Sequence, residues 1–431
     1  MLSGFVSAFR TPDLRKKLLL TLGILAVYRL GVAIPTPGVS FKNVQECAAL
    51  ASSNPAFDIL NLFAGGALLQ LSIFALGIMP YITASIIVQL LRVLIPRFET
   101  LYSEGQEGQA KLTQYTRYIT VGFAALQAAS YITLARSGQF FPGCNVPIIP
   151  DTSWQTISMM VLTMTAGTVF VMWLGERITE RGVGNGMSLL IFTSIAASFP
   201  AAVIAIWRSS NGPINTLLLA LLLLAVIAVI VYVEQSQRRI PVQYAKRVVG
   251  RRTLGGSSTY IPLKINMAGV IPVIFASSLL TLPTVIAQFA GDDSDWIKWM
   301  QNNLADPKAP LHVAIYILMI VFFAYFYTAI TFNPDQVADD MKKYGGFIPG
   351  IRPGKPTADF LSYVLSRITA AGSIYLAIVA LAPTLAFIAM GVSTSIPFGG
   401  TSILILVGVG LDTVKRIQSQ LEQRHYEGFL K

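Results

Sequence analysis

Charged side chains are scarce in this sequence. Asp, Glu, Lys and Arg make up 12% of its 431 residues, about half the share of a soluble globular protein. So little charge excludes a water-soluble fold. Histidine is rarer still: His312 and His425 are the only two, and no His-Glu-x-x-His pair occurs, so zinc-protease chemistry lacks its ligands. Cys47 and Cys144 are the only cysteines, too few for a Cys-rich metal site. Both fall in loops that the charge pattern below puts outside, where a disulfide is chemically permitted. Two free thiols are the favoured expectation, because position in the sequence does not reveal separation in space.

Carboxylates are nearly missing from the apolar runs, and Asp412 lies near the end of the last one. Ion-coupled transport normally needs intramembrane ionisable groups, which are costly and therefore purposeful. Arg29 is the exception, expected to pair locally or to snorkel in a structural role. Phosphate loops are missing too. GIRPGKP at Gly350 has three residues between its glycines where four are needed, and Pro where Ser or Thr should hold magnesium. GVGNG at Gly182 lacks the spacing and strand context of a dinucleotide site. No catalytic residue, metal or cofactor is expected.

What the chain has in abundance is apolar length. It is 54% hydrophobic, with a mean hydropathy of +0.61, and reads as a polytopic membrane protein. Ten spans are expected, at about 18–34, 73–91, 115–135, 154–174, 187–207, 213–233, 266–288, 311–331, 368–390 and 400–416. Pro200 makes the fifth the weakest. Lys and Arg then divide unequally: 26 of the 32 fall on the side holding both termini and five on the other, with Arg29 inside the first span. That asymmetry puts both termini in the cytosol. The basic start precedes a run long enough to span, with no Ala-x-Ala-type site after it, so no cleavable signal peptide is expected. Leu2 to Phe9 reads as a short amphipathic surface helix.

Phe57 to Leu91 is too long for one straight span. Its 35 residues would make a helix of about 52 Å against a hydrocarbon core of about 30 Å. Gly65-Gly66 and Met79-Pro80 are the two places to break. The first part, Asp58 to Gln70, is short and polar; the second, Ser72 to Leu91, has the length of a span. A half-helix within a membrane protein is tolerated only beside protein or a water-filled cavity, which points to a pore or substrate pathway. On the cytosolic side, Ile240, Val242 and Tyr244 alternate with other residues, as do Ile261, Leu263 and Ile265 across a Gly/Ser-rich centre, predicting a β-hairpin. A second loop, 333–366, offers a short helix from Asp335 to Tyr344 before a Gly/Pro-rich turn.

Seven segments in order resemble the SecY family, the channel subunit of the bacterial preprotein translocase. They are RLGVAIPTPGV at Arg29, NLFAGGALLQLSIFALGIMPYITASIIVQLL at Asn61, ERITERGVGNGMSLLIF at Glu176, RRIPVQYAKRVVGRR at Arg238, INMAGVIPVIFASS at Ile265, NPDQVADDMKKYGGFIPGIRPGKPT at Asn333 and FGGTSILILV at Phe398. The resemblance implies an all-α polytopic fold of ten transmembrane helices, in two pseudo-symmetric five-helix halves (1–210 and 211–431) around a pore. It implies a plug half-helix over about 58–69, including Asp58, Asn61, Leu62, Phe63, Gly65, Gly66 and Leu69. A pore ring of Ile82, Ile86, Ile191, Ile274 and Ile405 would close the waist. Ile82 and Ile86, four apart, share a helix face. Ile191 falls nearer a cytosolic end than a waist residue should, so its span boundary or its assignment is misplaced.

A lateral gate between the second and seventh spans would carry Thr83, Ser85 and Gln89 on one side and Asn266 on the other. The hairpin residues Arg238, Arg239, Lys246, Arg247, Arg251 and Arg252, with Arg352 in the second loop, would dock the SecA motor ATPase and the ribosome. SecE, SecG, preprotein signal sequences and membrane lipid complete the implied partners, in the cell inner (plasma) membrane. The implied function is a non-enzymatic protein-conducting channel. A secondary transporter with a discontinuous helix is the alternative.

Overall fold

The computed structural model describes residues 11–50, 61, 64–136, 144, 146–207, 212–244, 247–249, 252–254, 258–289, 299–300, 303–304, 309–389 and 400–428. The expected N-terminal surface helix, Asp58, Leu62, Phe63, Lys246 and Arg251 lie outside the described residues. Helices dominate: α1 (Pro12–Val32), α2 (Phe41–Leu50), α3 (Met79–Leu94), α4 (Pro96–Ser103), α5 (Gln106–Arg136), α6 (Trp154–Arg181), α7 (Gly186–Trp207) and α8 (Gly212–Gln235). After the hairpin come α9 (Ile271–Phe289), α10 (Pro310–Thr331), α11 (Pro334–Lys343), α12 (Lys355–Ala389) and α13 (Gly400–Gly428). Among the described residues, five helices are long and apolar enough to cross a membrane on their own: α5, α6, α8, α10 and α12. The other five expected spans meet α1, α3, α7, α9 and α13. Pro200 does not break α7, which runs through it.

The second span is corrected. It was expected from residue 73, but the helix begins only at Met79, with Pro80 in its first turn. Its 16 residues reach about 24 Å. Residues 64–78 instead make tight turns, with Gly65, Gly66, Gly77 and even Leu71 at positive φ. Left-handed backbone at a glycine pair ends helical propagation; of the expected plug, Asn61 is helical and residues 64–69 are turns. At the other end Ile95 is extended before Pro96, and the chain bends 101° into α4, as the residue before proline favours.

The predicted hairpin is present. β1 (Gln237–Tyr244) pairs antiparallel with β4 (Ser258–Lys264), placing Ile240 opposite Ile261 and Val242 opposite Thr259. Between them β2 (Arg247–Val249) and β3 (Arg252–Leu254) form a two-stranded tip. The period of two buries Ile240 and Val242 while their neighbours stay exposed. A third strand, β5 (Gly346–Phe347), pairs with the free edge of β1. The two loops expected on the cytosolic side are therefore one body, whose core joins Ile240, Val242 and Leu263 to Met341 of α11, Ile348, and Leu361 and Val364 of α12. A separate, larger apolar core lies among the spans.

Candidate functional site

A cavity of about 440 Å³ lies between α3, α7 and α9. Ile82, Ser85 and Gln89 line it from α3, Met187, Ser188 and Ile191 from α7, and Ile271, Ile274 and Phe275 from α9. Three of the five expected ring residues, Ile82, Ile191 and Ile274, thus meet at one space. Ile191 is the informative one. α7 starts at Gly186, and its early turns face this cavity, so a position near the helix start is compatible with facing α3 and α9. Ile86 and Ile405 are buried in the same apolar core but do not line the cavity.

One wall of the cavity holds an ion pair that sequence reading missed. Arg117 of α5 donates from Nε and Nη2 to the two carboxylate oxygens of Glu176 on α6, at 2.9 and 2.8 Å. A two-pronged guanidinium–carboxylate contact is the strongest class of such bonds. The available signal was slight: a lone Arg entering one span and a Glu leaving the next.

The expected gate residues do not bond across α3 and α9. Gln89 donates to Ser85 Oγ at 3.3 Å and Thr83 to the Met79 carbonyl at 3.1 Å, both within α3. Asn266, 4% exposed, points to α8 instead, donating from Nδ2 to Glu234 Oε1 at 2.6 Å and to the Gly269 carbonyl at 3.0 Å. α3 and α9 nevertheless pack side by side, so the expected seam exists without polar bonds between these four residues.

The described plug residues lie against α1 and α7. Asn61 organises the turns, its carbonyl accepting from the Gly66 amide at 2.9 Å and its Oδ1 from the Leu69 amide at 3.1 Å. Gly65 lies so close to α7 that a Cβ there would sit 3.1 Å from Ser194 Cα. Arg29 neither pairs locally nor snorkels: its Nη1 donates to the Gly65 carbonyl at 3.0 Å.

The free-thiol expectation is overturned, since Cys47 and Cys144 form a disulfide. Packing supplies what spacing could not. Asn43 of α2 donates to the Pro147 carbonyl at 2.8 Å and the Ser40 amide to that of Ile148 at 3.0 Å, so the α1–α2 loop lies along the segment leading to α6. On the hairpin body, Arg238 and Arg239 are exposed on β1, and Arg239 stands 4.8 Å over the Tyr260 ring. Arg247 and Arg252 fall in the tip strands. The β1–β5 pairing brings the turn bearing exposed Arg352 onto the same body.

The family model for SecY matches residues 72–414, from the turns before α3 into α13. The chain belongs to the SecY family. Its full length aligns with the full length of the protein translocase subunit SecY of Streptomyces coelicolor at 61% identity, and with that of Mycobacterium tuberculosis at 57%. Among solved structures, a protein conducting channel shares the fold with a TM-score of 0.63 at 19% identity, covering 94% of this chain and 91% of that one. Sec61 in the canine ribosome-channel complex from the endoplasmic reticulum matches with a TM-score of 0.59 at 17% identity and the same coverage. The SecY match encloses every wall of the cavity and the whole hairpin body. Asn61 and the turns at 64–69 precede the family model's match but fall within the full-length relatives.

Proposed function

We propose that this SecY-family chain is the protein-conducting channel of the general secretory pathway, moving unfolded preproteins across the membrane and releasing apolar segments sideways into lipid. The observation that carries this reading is the isoleucine-lined cavity between α3, α7 and α9, in a chain that aligns end to end with SecY relatives. A constriction of hydrocarbon side chains excludes ions by dewetting, so Ile82, Ile191 and Ile274, joined by Ile86 and Ile405, form the ring. Asn61 and the turns carrying Gly65, Gly66 and Leu69, together with Asp58, Leu62 and Phe63, are the plug. The gate is the α3–α9 seam with Thr83, Ser85, Gln89 and Asn266, and its weakness suits opening: interhelical hydrogen bonds in membranes are worth only about 0.6–2 kcal/mol.

The basic hairpin and Arg352 dock SecA and the ribosome, since a guanidinium offers five fixed donors to carboxylate or phosphate, and clustered positive charge attracts RNA. SecE and SecG accompany the channel. The chain hydrolyses nothing; SecA, the ribosome or the membrane potential supplies the work. It sits in the cell inner membrane with both termini cytosolic, as halves 1–210 and 211–431. The transporter alternative is disfavoured by the SecY relatives.

Proteoliposomes holding the chain with SecE and SecG test the proposal. Import of a preprotein dependent on SecA and ATP, without uptake of small solutes, is the expected result. Solute uptake driven by an ion gradient, with no preprotein import, would overturn it.

A further inference from the structure

The elbow joining the basic hairpin to α9 spans residues 265–270, and it is held from three sides. At its start the Ile265 amide donates to the Ser236 carbonyl at 3.2 Å, closing the neck of the hairpin. Gly372 of α12 covers it so closely that a Cβ there would sit 2.6 Å from the Ile265 carbonyl oxygen. From the third side comes Glu234, in the last turn of α8. It accepts from Asn266 at 2.6 Å, while the other Asn266 bond goes forward to the Gly269 carbonyl. A carboxamide nitrogen has two protons to donate, and both are used.

Glu234 is itself anchored. Lys415 of α13 donates from Nζ to its backbone carbonyl at 3.1 Å. The elbow ends where the Val273 and Ile274 amides donate to the Val270 carbonyl and α9 begins. Ile271 and Ile274, in that first turn, line the cavity. A stiff connection therefore runs from the hairpin neck through Asn266 to the cavity wall.

We infer that Glu234 and Asn266 are positioning residues for gating: their bond makes the elbow rigid, so that displacement of the hairpin by a docked cytosolic partner is transmitted to α9. The inference rests on the reading of the hairpin as the docking surface and of α3–α9 as the seam that opens. Asn266 then serves the gate without bonding to α3. With the bond removed, docking and opening are uncoupled while the hairpin arginines, which meet the partner, are untouched.

The test uses the full chain with its accessory subunits in lipid vesicles, carrying an environment-sensitive fluorophore on Ile271→Cys. Two quantities are read on adding SecA with a non-hydrolysable ATP analogue: SecA affinity and the fluorescence response of α9. Glu234→Ala and Asn266→Ala should keep the affinity but lower the response about tenfold, as expected when a charge-assisted bond is lost from a buried partner. Glu234→Gln, which keeps an acceptor oxygen, should restore most of the response. The double alanine variant should be no worse than either single one, because one interaction is removed only once. Undiminished responses from both alanine variants would overturn the inference. So would parallel loss of affinity and response, which would make the pair merely part of the hairpin's fold. A native-sequence elbow that binds SecA without any response would instead remove the gate reading, and this inference with it.

Discussion

Arg29 and Gly65 are 36 positions apart in the chain and 3.0 Å apart in space, guanidinium Nη1 to carbonyl oxygen. The contact ties α1 to the turn-built segment ahead of α3. Beside it, Tyr28 Oη and Ser194 Oγ lie 2.7 Å apart, joining α1 to α7. An arginine inside an apolar span costs several kcal/mol unless paired, and here its partner is the backbone of the proposed plug.

Replacing Arg29 with Ala should therefore loosen that segment. A hydrogen bond to a charged group is worth about 1.5–3 kcal/mol, so ion conductance of the resting channel in planar bilayers should rise about tenfold or more. Arg29→Lys should leak less than Arg29→Ala. Wild-type conductance in Arg29→Ala would show that the bond does not hold the seal.

Charge introduced at the cavity should open it to water. Ile82→Asp and Ile274→Asp each add a group costing on the order of 2.5–3.5 kcal/mol in an apolar membrane setting, and hydration relieves that cost. Ion permeability should rise in both, and signal-sequence stringency should fall. The same change at Ile86, buried outside the cavity, should also lower thermal stability. Unchanged permeability in the two cavity variants would exclude them from the ring.

The Cys47–Cys144 bridge closes a loop of 97 positions. Chain-entropy arguments give disulfides about 2–4 kcal/mol, and membrane anchoring of the two intervening spans already shortens the free loop, favouring the lower end. Cys47→Ser should lower the thermal midpoint in detergent under oxidising conditions and have no effect after reduction. Unreduced protein should show a two-hydrogen mass deficit. Rapid labelling of both sulfurs by an impermeant maleimide before reduction would rule the bridge out.

Asp151 gives a pH-dependent end to α6. Its carboxylate accepts from the Ser153 amide, Ser153 Oγ and Thr156 Oγ1 at 3.0, 3.1 and 2.8 Å, and Ser153 caps the helix. Those bonds favour the ionised form and hold the carboxyl below its usual range. The stabilisation is thus present above the ordinary carboxylate value near pH 4 and is lost as pH falls through the depressed one. Asp151→Asn should be less stable than wild type at about pH 6, with the gap closing toward about pH 3. A gap independent of pH would mean that the charge plays no part.

What was legible in the sequence is what depends on neighbours along the chain. Each apolar run meets a helix, because a membrane span satisfies its backbone internally. The alternation around Ile240 and Val242 predicts the hairpin, and Asn333-Pro334 opens the short helix α11. Glycines at 65 and 66 mark the break, although the chain leaves it as turns and starts α3 later than hydropathy indicates. The seven motifs carry the family resemblance.

Partners distant in the chain were not legible. Free thiols were expected where α2 packs Cys47 against the segment holding Cys144. Asn266 was expected to face α3 and bonds Glu234; Arg29 was expected to pair locally or to snorkel and reaches Gly65. The edge pairing of β5 with β1, which unites the loops before α9 and α12, has only two residues of strand to announce it. Sequence alone determined the apolar runs, their punctuation and the family. Tertiary structure decided which side chains meet, because a contact between separated segments depends on how whole helices pack, and hydropathy or spacing carries no record of that angle.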